Sequence, residues 1–255
     1  MQPTETAQLA RYANGPDLCS MRMWFTLAAV FLVTAAYSIA VMLHMVLWRN
    51  EEVFYEYARS WSRLLLRMCG IRVTLIGRDE LDPTARYIYV ANHASLFDIP
   101  VILASVPDNV RIMYKRELER IPVFGWALKI SPFIAIERER AREAADVLQK
   151  VVATMAAGSS VLVFPEGTRS VDGNVGTFRR GAFSLAVRSE RQIVPLALKG
   201  TAAILPKKTR KINGGDVSVR IFPPVTVPTA PTRSDELRLL TDVRQIIASA
   251  VDSQS

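Results

Sequence analysis

A histidine and an aspartate five residues apart are the first candidates for chemistry. His93 and Asp98 follow the apolar run Tyr87–Ala91 and precede a helical pattern. A histidine at the end of a strand is displayed at the rim of a sheet, where α/β proteins place their sites. The Asp98 carboxylate could fold back onto the imidazole, fix its tautomer and leave the second ring nitrogen as a general base. Most such pairs in proteins are structural, so the spacing alone leaves that alternative open.

A second cluster, Phe164–Ser170, also follows an apolar run. Gly167 permits close approach of the backbone to a ligand, Thr168 offers a hydroxyl, and Arg169 offers a planar fork suited to phosphate. Glu166 could orient that arginine or contact a glycerol hydroxyl. The alternative is a tight turn with a solvated ion pair, and the cluster taken alone favours it.

Cationic side chains follow other predicted strands. Directly after two β-type runs stand Lys115, Arg116 and Arg138. If the strand ends meet, these cations could form one anion site, and otherwise each is a surface charge. Two further basic runs, residues 179–180 and 207–211, are by default solvated faces, although beside a membrane they could also contact anionic lipid.

Composition restricts the classes of partner. The chain of 255 residues is 50% hydrophobic and has a formal net charge of +8. This basic balance suits anionic lipid, a phosphate-bearing substrate or nucleic acid, but no nucleic-acid motif accompanies the charge. Two cysteines, Cys19 and Cys69, and two histidines argue against a disulfide framework or a His/Cys metal site. The sequence has no GxSxG elbow and no Walker A loop, which favours direct attack by a substrate hydroxyl activated by a histidine.

The elements that must position these residues alternate between short β-type runs and helical patterns, as in an α/β domain with a central sheet. Runs rich in Val, Ile, Tyr and Phe predict seven strands: Ile71–Ile76, Tyr87–Ala91, Arg111–Tyr114, Phe133–Glu137, Val161–Phe164, Ile193–Leu198 and Val217–Phe222. Helical patterns predict Ile99–Ser105, Val123–Lys129, Glu139–Ala156, Phe178–Ser189 and Asp235–Val251, the last capped by Ser234.

The N-terminal part of the chain predicts a membrane anchor. Met23–Trp48 is uncharged over 26 residues between Arg22 and Arg49. As a helix it would be ~39 Å long, beyond the ~30 Å hydrocarbon core, so it could span with tilt or lie in one leaflet. Glu51–Cys69 predicts an amphipathic helix on a membrane or on the globular domain, with Gly70 as its C-cap. If the segment spans, the flanking arginines favour a cytoplasmic C-terminal domain.

The two clusters resemble the motifs of one family. In order, the chain contains Asn92-His93-x-Ser95-x-x-Asp98, then Phe164-Pro165-Glu166-Gly167-Thr168-Arg169-Ser170, then Val194-Pro195-Leu196. This order resembles the glycerolipid acyltransferases, and among them the bacterial 1-acylglycerol-3-phosphate O-acyltransferases. The resemblance implies a glycerol-3-phosphate acyltransferase-like α/β domain, with a central mixed sheet flanked by helices and preceded by a membrane two-helix element.

The resemblance also implies roles for single residues. His93 would deprotonate the acceptor hydroxyl for attack on an acyl thioester, and Asp98 would orient and charge-stabilise it. The glycerol phosphate part of the acceptor would be bound by Lys115, Arg138, Glu166, Gly167, Thr168 and Arg169. With this assignment the chain divides into an N-terminal tail (1–22), a membrane anchor (23–70), an acyltransferase domain (71–230) and a C-terminal helix and tail (231–255).

The resemblance predicts an O-acyltransferase that converts lysophosphatidic acid to phosphatidic acid at the cytoplasmic face of the inner membrane. Its donor would be acyl-carrier protein or coenzyme A thioester as co-substrate, with membrane lipids as further partners and with no other cofactor, metal or nucleic acid. Glu137 stands before Arg138 where the family often has Asp, which keeps another acceptor, such as a lyso-ornithine lipid, open. A hypothesis of another class is a non-enzymatic membrane adaptor that binds lipid.

Overall fold

The computed structural model describes residues 18–136, 149, 151–207, 209, 211–228 and 232–253. Its first two helices are α1, Leu18–Trp48, and α2, Glu51–Met68. Within the described residues, one helical stretch, Met23–Trp48, is long and apolar enough to cross a membrane, and only 11% of its most apolar window is buried. The predicted apolar helix is therefore present, and the described part of the chain buries few of its residues.

Helix α2 packs against α1 on one side and against the sheet on the other. On one side Trp61 Nε1 donates to Thr34 Oγ1 at 3.1 Å. On the other side Leu65 and Leu66 are buried in a core cluster with residues of the sheet. Of the two positions predicted for this amphipathic helix, packing on the domain is the one observed. It ends at the C-cap Cys69, followed by a glycine with a φ of +66°.

One mixed sheet forms the centre of the domain. In the described part of the chain it has seven strands: β1 Ile71–Ile76, β2 Ile88–Ala91, β3 Val110–Lys115, β4 Ile134–Ile136, β5 Ser160–Val163, β6 Ile193–Lys199 and β7 Gly215–Ile221. Their order is β1-β7-β6-β2-β5-β3-β4, and only the β6–β7 pair is antiparallel. All seven predicted strands are confirmed, with described ends that differ by at most two residues, while Glu137, the predicted end of β4, lies outside the described residues.

Strands β2, β3, β4, β5 and β6 run in the same direction, so their carboxyl ends meet at one edge of the sheet. We call it the carboxyl edge. Alternate residues of a strand face opposite sides of a sheet. In β2, Tyr89 and Ala91 belong to one buried cluster while Ile88 and Val90 belong to another. Both faces are covered, which explains why this strand is a continuous apolar run.

Helices cover the two faces of the sheet. The remaining ones are α3 Asp98–Ser105, α4 Phe124–Lys129, α5 Gly181–Ser189, α6 Thr201–Ile204 and α7 Arg233–Asp252, with 3₁₀ turns at Arg78–Glu80 and Arg116–Arg120. Residues of α2 and α3 pack on one face, and residues of α5 and α7 pack on the other. Of the predicted helix Glu139–Ala156, residues 151–156 are helical, while 139–148 and 150 lie outside the described residues.

The cap of α7 differs from the prediction. Thr232, not Ser234, is the N-cap: its hydroxyl accepts from the Asp235 main chain, and the Asp235 carboxylate accepts from the Thr232 N–H. This reciprocal arrangement is a capping box. The sequence offers two hydroxyls two residues apart, and only Thr232 has the acidic residue three positions later that completes the box.

Candidate active site

The His93 imidazole and the Asp98 carboxylate are in contact, as the sequence predicted. His93 Nδ1 lies 2.7 Å from Asp98 Oδ2, and the Asp98 side chain is fully buried. The same oxygen accepts the main-chain N–H groups of Ala94 and Ser95 at 2.8 and 2.9 Å. A carboxylate oxygen that takes three donors places the imidazole proton on Nδ1. In the neutral ring, Nε2 then carries the free lone pair that a base requires.

The ring of His93 is held on one face and partly open. It stacks on Phe164, with ring centroids 4.3 Å apart and planes inclined by 25°. The side chain remains 18% exposed. Stacking restricts the ring to one orientation, while the exposed part leaves access for a reacting group.

The main chain of His93 is fixed by the loop that follows β5. Its N–H donates to Glu166 Oε1 at 2.8 Å, and its carbonyl accepts the N–H of Ser170 at 2.7 Å. The second oxygen of Glu166 accepts the N–H of Gly176 at 3.2 Å. Burial raises the pKa of Glu166, against the opposing effect of these two bonds. The structure thus engages both Glu166 oxygens with main chain, whereas the sequence had placed this residue beside the acceptor.

A buried amide next to the histidine ties β2 to β6. The Asn92 side chain donates to the Leu198 carbonyl at 2.9 Å and accepts the Leu198 N–H at 2.8 Å. The side chain thereby replaces a main-chain partner where β2 ends. Sequence reasoning gave Asn92 no role, although a polar amide directly after four apolar residues was an available signal.

Two cations join the loop 166–170 from distant positions. Gly167 has a φ of +71°, and a side chain at this position would come within 3.2 Å of the Arg179 guanidinium. Lys207 Nζ donates to the Arg169 carbonyl at 2.5 Å and lies 3.5 Å from Thr168 Oγ1. The sequence had treated Arg179 and Lys207 as solvated charges. The structure instead places both against the predicted phosphate-binding loop, close to a partly exposed Arg169 and an exposed Thr168.

The remaining predicted ligands are distributed as follows. Lys115 is exposed at the carboxyl end of β3, and β5 lies between β3 and β2. It therefore shares the edge of the sheet with His93 but stands two strands away. Arg138 lies outside the described residues. The structure thus brings His93, Asp98 and the loop 166–170 together and places Lys115 farther along the same edge.

Comparison with known proteins identifies the class to which this fold and site belong. The model of the Acyltransferase family matches residues 72–199, which is half of the chain and reaches from β1 to the end of β6. The chain belongs to this family. A crystal structure of the 1-acyl-sn-glycerophosphate acyltransferase PlsC from Thermotoga maritima has the same fold, with a TM-score of 0.75 over 91% of this chain and 97% of that one, at 24% identity.

Particular relatives share one name. A chloroplastic 1-acyl-sn-glycerol-3-phosphate acyltransferase of Brassica napus is 38% identical over 59% of this chain and 44% of its own length. The chloroplastic enzyme of that name from Arabidopsis thaliana is 36% identical over 82% of this chain and 61% of its own. The human alpha form is 35% identical over 68% of this chain and 61% of its own length. This chain thus spans between 44% and 61% of the length of these relatives, less than two thirds in each case.

Proposed function

We propose that this chain transfers a fatty acyl group from an acyl thioester to the sn-2 hydroxyl of lysophosphatidic acid, which gives phosphatidic acid. The observation that carries the proposal is the 2.7 Å contact between His93 Nδ1 and the buried Asp98 carboxylate, which would hold the ring proton on Nδ1. The shared name of the relatives supports this acceptor. The thioester would be carried by acyl-carrier protein or by coenzyme A.

The reaction needs one base and no covalent enzyme intermediate. Nε2 of His93 would take the proton of the acceptor hydroxyl while its oxygen attacks the thioester carbonyl. The tetrahedral intermediate would then collapse, so that the carbon–sulfur bond breaks and the imidazolium returns the proton to the leaving thiolate. An ester and a free thiol result, and His93 is neutral again.

Asp98 would act through the imidazole. Its carboxylate lies 2.7 Å from Nδ1 and would stabilise the positive charge that the ring acquires during attack. A buried carboxylate at this distance also prevents the ring from flipping, because only Nδ1 can donate to it. Asp98 is therefore a positioning residue, and His93 is the catalytic one.

The acceptor phosphate would bind at the loop 166–170. Thr168 and Arg169 offer a hydroxyl and a guanidinium beside His93, and Gly167 lets the backbone come close. The family resemblance adds Lys115 and Arg138 to this phosphate site. Glu166 is better suited to holding the loop, because both of its oxygens already accept main-chain N–H groups.

Helix α1 would attach the enzyme to the cytoplasmic face of the inner membrane. Its segment Met23–Trp48 has a mean hydropathy of 2.2 and exposes Trp24, Phe25, Phe31, Leu32, Leu43 and Leu47. Contact with lipid would cover these side chains and would keep the enzyme where a single-chain phospholipid resides.

An assay of the purified protein with two acceptors tests the substrate. Lysophosphatidic acid and a lyso-ornithine lipid are each offered with acyl-carrier protein and coenzyme A thioesters, and product is measured by mass spectrometry. We expect phosphatidic acid. Turnover of the lyso-ornithine lipid alone would overturn the proposed acceptor but leave the chemistry in place.

Variants of the base test the mechanism. His93→Ala should lower turnover on the order of 10²–10⁴-fold, the typical contribution of a general base, while binding to lipid vesicles stays unchanged. Asp98→Asn should also be impaired, because an amide no longer stabilises the imidazolium. Undiminished turnover in His93→Ala would remove this residue from the mechanism, and absence of any turnover in the parent protein would favour a lipid-binding adaptor.

A further inference from the structure

The segment between β3 and β4 presents apolar side chains to solvent. Its exposed large residues are Leu118, Ile121, Trp126 and Ile130, whose exposed fractions range from 37% to 56%. We call these four residues the β3–β4 patch. A single exposed apolar residue is ordinary, but several within one short segment indicate a surface that contacts something else.

The backbone under the patch is held in a demanding conformation. Val123 has a φ of +66° and a ψ of −60°, and the Phe124 N–H donates to the Pro122 carbonyl at 2.7 Å. This is a γ-turn with positive φ, which is strained for any residue and most of all for a β-branched one. Beside it, a side chain on Gly125 would come within 2.4 Å of the Glu119 carbonyl. Strain of this kind persists where the surrounding structure dictates the conformation, so the patch is preformed.

The segment that carries the patch packs against α1. Ala127 of α4 lies between the patch residues Trp126 and Ile130. It is buried in a cluster with Val41 and Phe54, against which Met42 and Met45 also pack. The C-terminal half of α1 also exposes apolar side chains to solvent: Ile39, Leu43, Val46 and Leu47. Helix α1 and the segment that packs against it thus both expose apolar side chains.

The charges within the segment indicate the kind of partner. Exposed cations accompany the four apolar residues: Arg116, Arg120 and Lys129 within the segment, and Lys115 at the end of β3. The acidic residues of the same segment are Glu117 and Glu119, so the cations are in excess. Apolar side chains mixed with lysine and arginine suit the interface of a bilayer that contains anionic lipid.

We propose that the β3–β4 patch is a second lipid-binding surface, which docks the carboxyl edge of the sheet on an anionic bilayer beside α1. The inference rests on the proposed attachment of α1 to a membrane. Strand β3 leads directly from the carboxyl edge into the patch, and His93 follows β2 at that same edge. Docking would hold the histidine at the lipid surface, where the head group of a single-chain acceptor lies.

Site-directed labelling tests the contact. An environment-sensitive fluorophore is attached to Trp126→Cys in the full chain, with Cys19 and Cys69 replaced by alanine. The protein is reconstituted in vesicles of equal parts phosphatidylglycerol and phosphatidylcholine. The matched control is Leu237→Cys, since Leu237 is 46% exposed on α7, outside the patch and outside α1. A label at Leu43→Cys reports the insertion of α1.

Quenching then decides between lipid and water. We expect spin-labelled lipid to quench the fluorophore at position 126 as strongly as the one at position 43. Aqueous iodide should instead quench the fluorophore at position 237. A fluorophore at 126 that behaves like the one at 237 would overturn the proposal. This readout does not depend on turnover, so it decides on the surface even if lysophosphatidic acid proves not to be the acceptor.

Activity on two forms of the acceptor tests the consequence. Relative to Leu237→Asp, Trp126→Asp should lower turnover of long-chain lysophosphatidic acid in vesicles by about tenfold, because a large apolar contact is lost. Turnover of a short-chain acceptor dissolved as monomers should be equal in the two variants. Equal turnover on vesicles, or an equal loss on both acceptors, would contradict a role in docking.

Discussion

The main-chain N–H of His93 donates a hydrogen bond of 2.8 Å to Glu166, a residue 73 positions later in the chain. Because the second Glu166 oxygen accepts the N–H of Gly176, one buried carboxylate connects three segments at the carboxyl edge. The residue that the sequence placed on the substrate thus holds the backbone of the proposed base. The hydrogen bond thus gives Glu166 a role in positioning the His93 backbone.

Glu166→Gln should reduce kcat while the KM for the acceptor stays close to that of the parent. An amide keeps one acceptor oxygen but presents an NH₂ group to the second N–H, so a charge-assisted hydrogen bond is lost. If this bond positions His93, its loss should lower kcat by about tenfold or more. Steady-state kinetics measure the split, with the exposed Glu80→Gln as control. A raised KM at unchanged kcat would instead place Glu166 on the acceptor.

Lys207→Met should raise the KM for lysophosphatidic acid. Lys207 holds the loop at the Arg169 carbonyl and adds a positive charge near Thr168. Loss of one charged donor is expected to cost about tenfold in kcat/KM, with a smaller loss on monoacylglycerol, which lacks the phosphate. Lys211→Met, in the same basic run and exposed, is the matched control. An equal loss on both acceptors would show that Lys207 does not act on the phosphate.

Arg244→Leu should lower both stability and kcat, although Arg244 lies on the C-terminal helix. Its guanidinium donates to the carbonyls of Gly176 and Val175 at 2.9 and 3.0 Å, and Gly176 in turn holds Glu166. We expect a loss of about 2 kcal/mol in the free energy of unfolding and a severalfold loss in kcat.

Arg238→Leu is the control for this helix, because Arg238 is 83% exposed and has a weak ion pair one turn away. Arg244→Lys should recover part of kcat, since a lysine can still donate to one carbonyl. If Arg244→Leu loses stability at undiminished kcat, its contact with the loop is structural and does not reach His93.

Acidification should loosen the C-terminal helix through Glu236. Burial alone would raise the pKa of Glu236, but its hydrogen bonds to Ser184 and to the Arg180 guanidinium outweigh burial and lower it. A carboxylate with a lowered folded-state pKa stabilises the fold above its unfolded value of 4.5, and this contribution is lost as pH falls through the lower folded value.

Glu236→Gln is therefore expected to be less stable than the parent at neutral pH and to approach it below the ordinary carboxyl range. Thermal unfolding in detergent at several pH values measures the difference between the two proteins. A difference that stays constant with pH would mean that ionisation of Glu236 does not contribute.

The contact between His93 and Asp98 was accessible from the sequence because it is local. Both residues lie in one strand-to-helix turn, so their spacing and the apolar run before them suffice to predict it. Strands β2, β5 and β6 were predictable for a similar reason, since a strand buried on both faces is nearly continuously apolar whatever its neighbours are. The choice of Thr232 over Ser234 as cap shows the limit of local patterns, because it depends on which hydroxyl has the acidic partner.

By itself, the sequence determined the strands, the contact between His93 and Asp98, the apolar N-terminal helix and the family of the protein. The tertiary structure decided which distant residues join them. Glu166 contacts His93 across 73 residues, Asn92 contacts Leu198 across 106, and Lys207 contacts Arg169 across 38. The periodicity of the sequence does not reveal which partner a charged or polar residue contacts. A lysine that is solvated and a lysine that holds a loop give the same sequence pattern. Only the order and direction of the strands bring such residues to one edge.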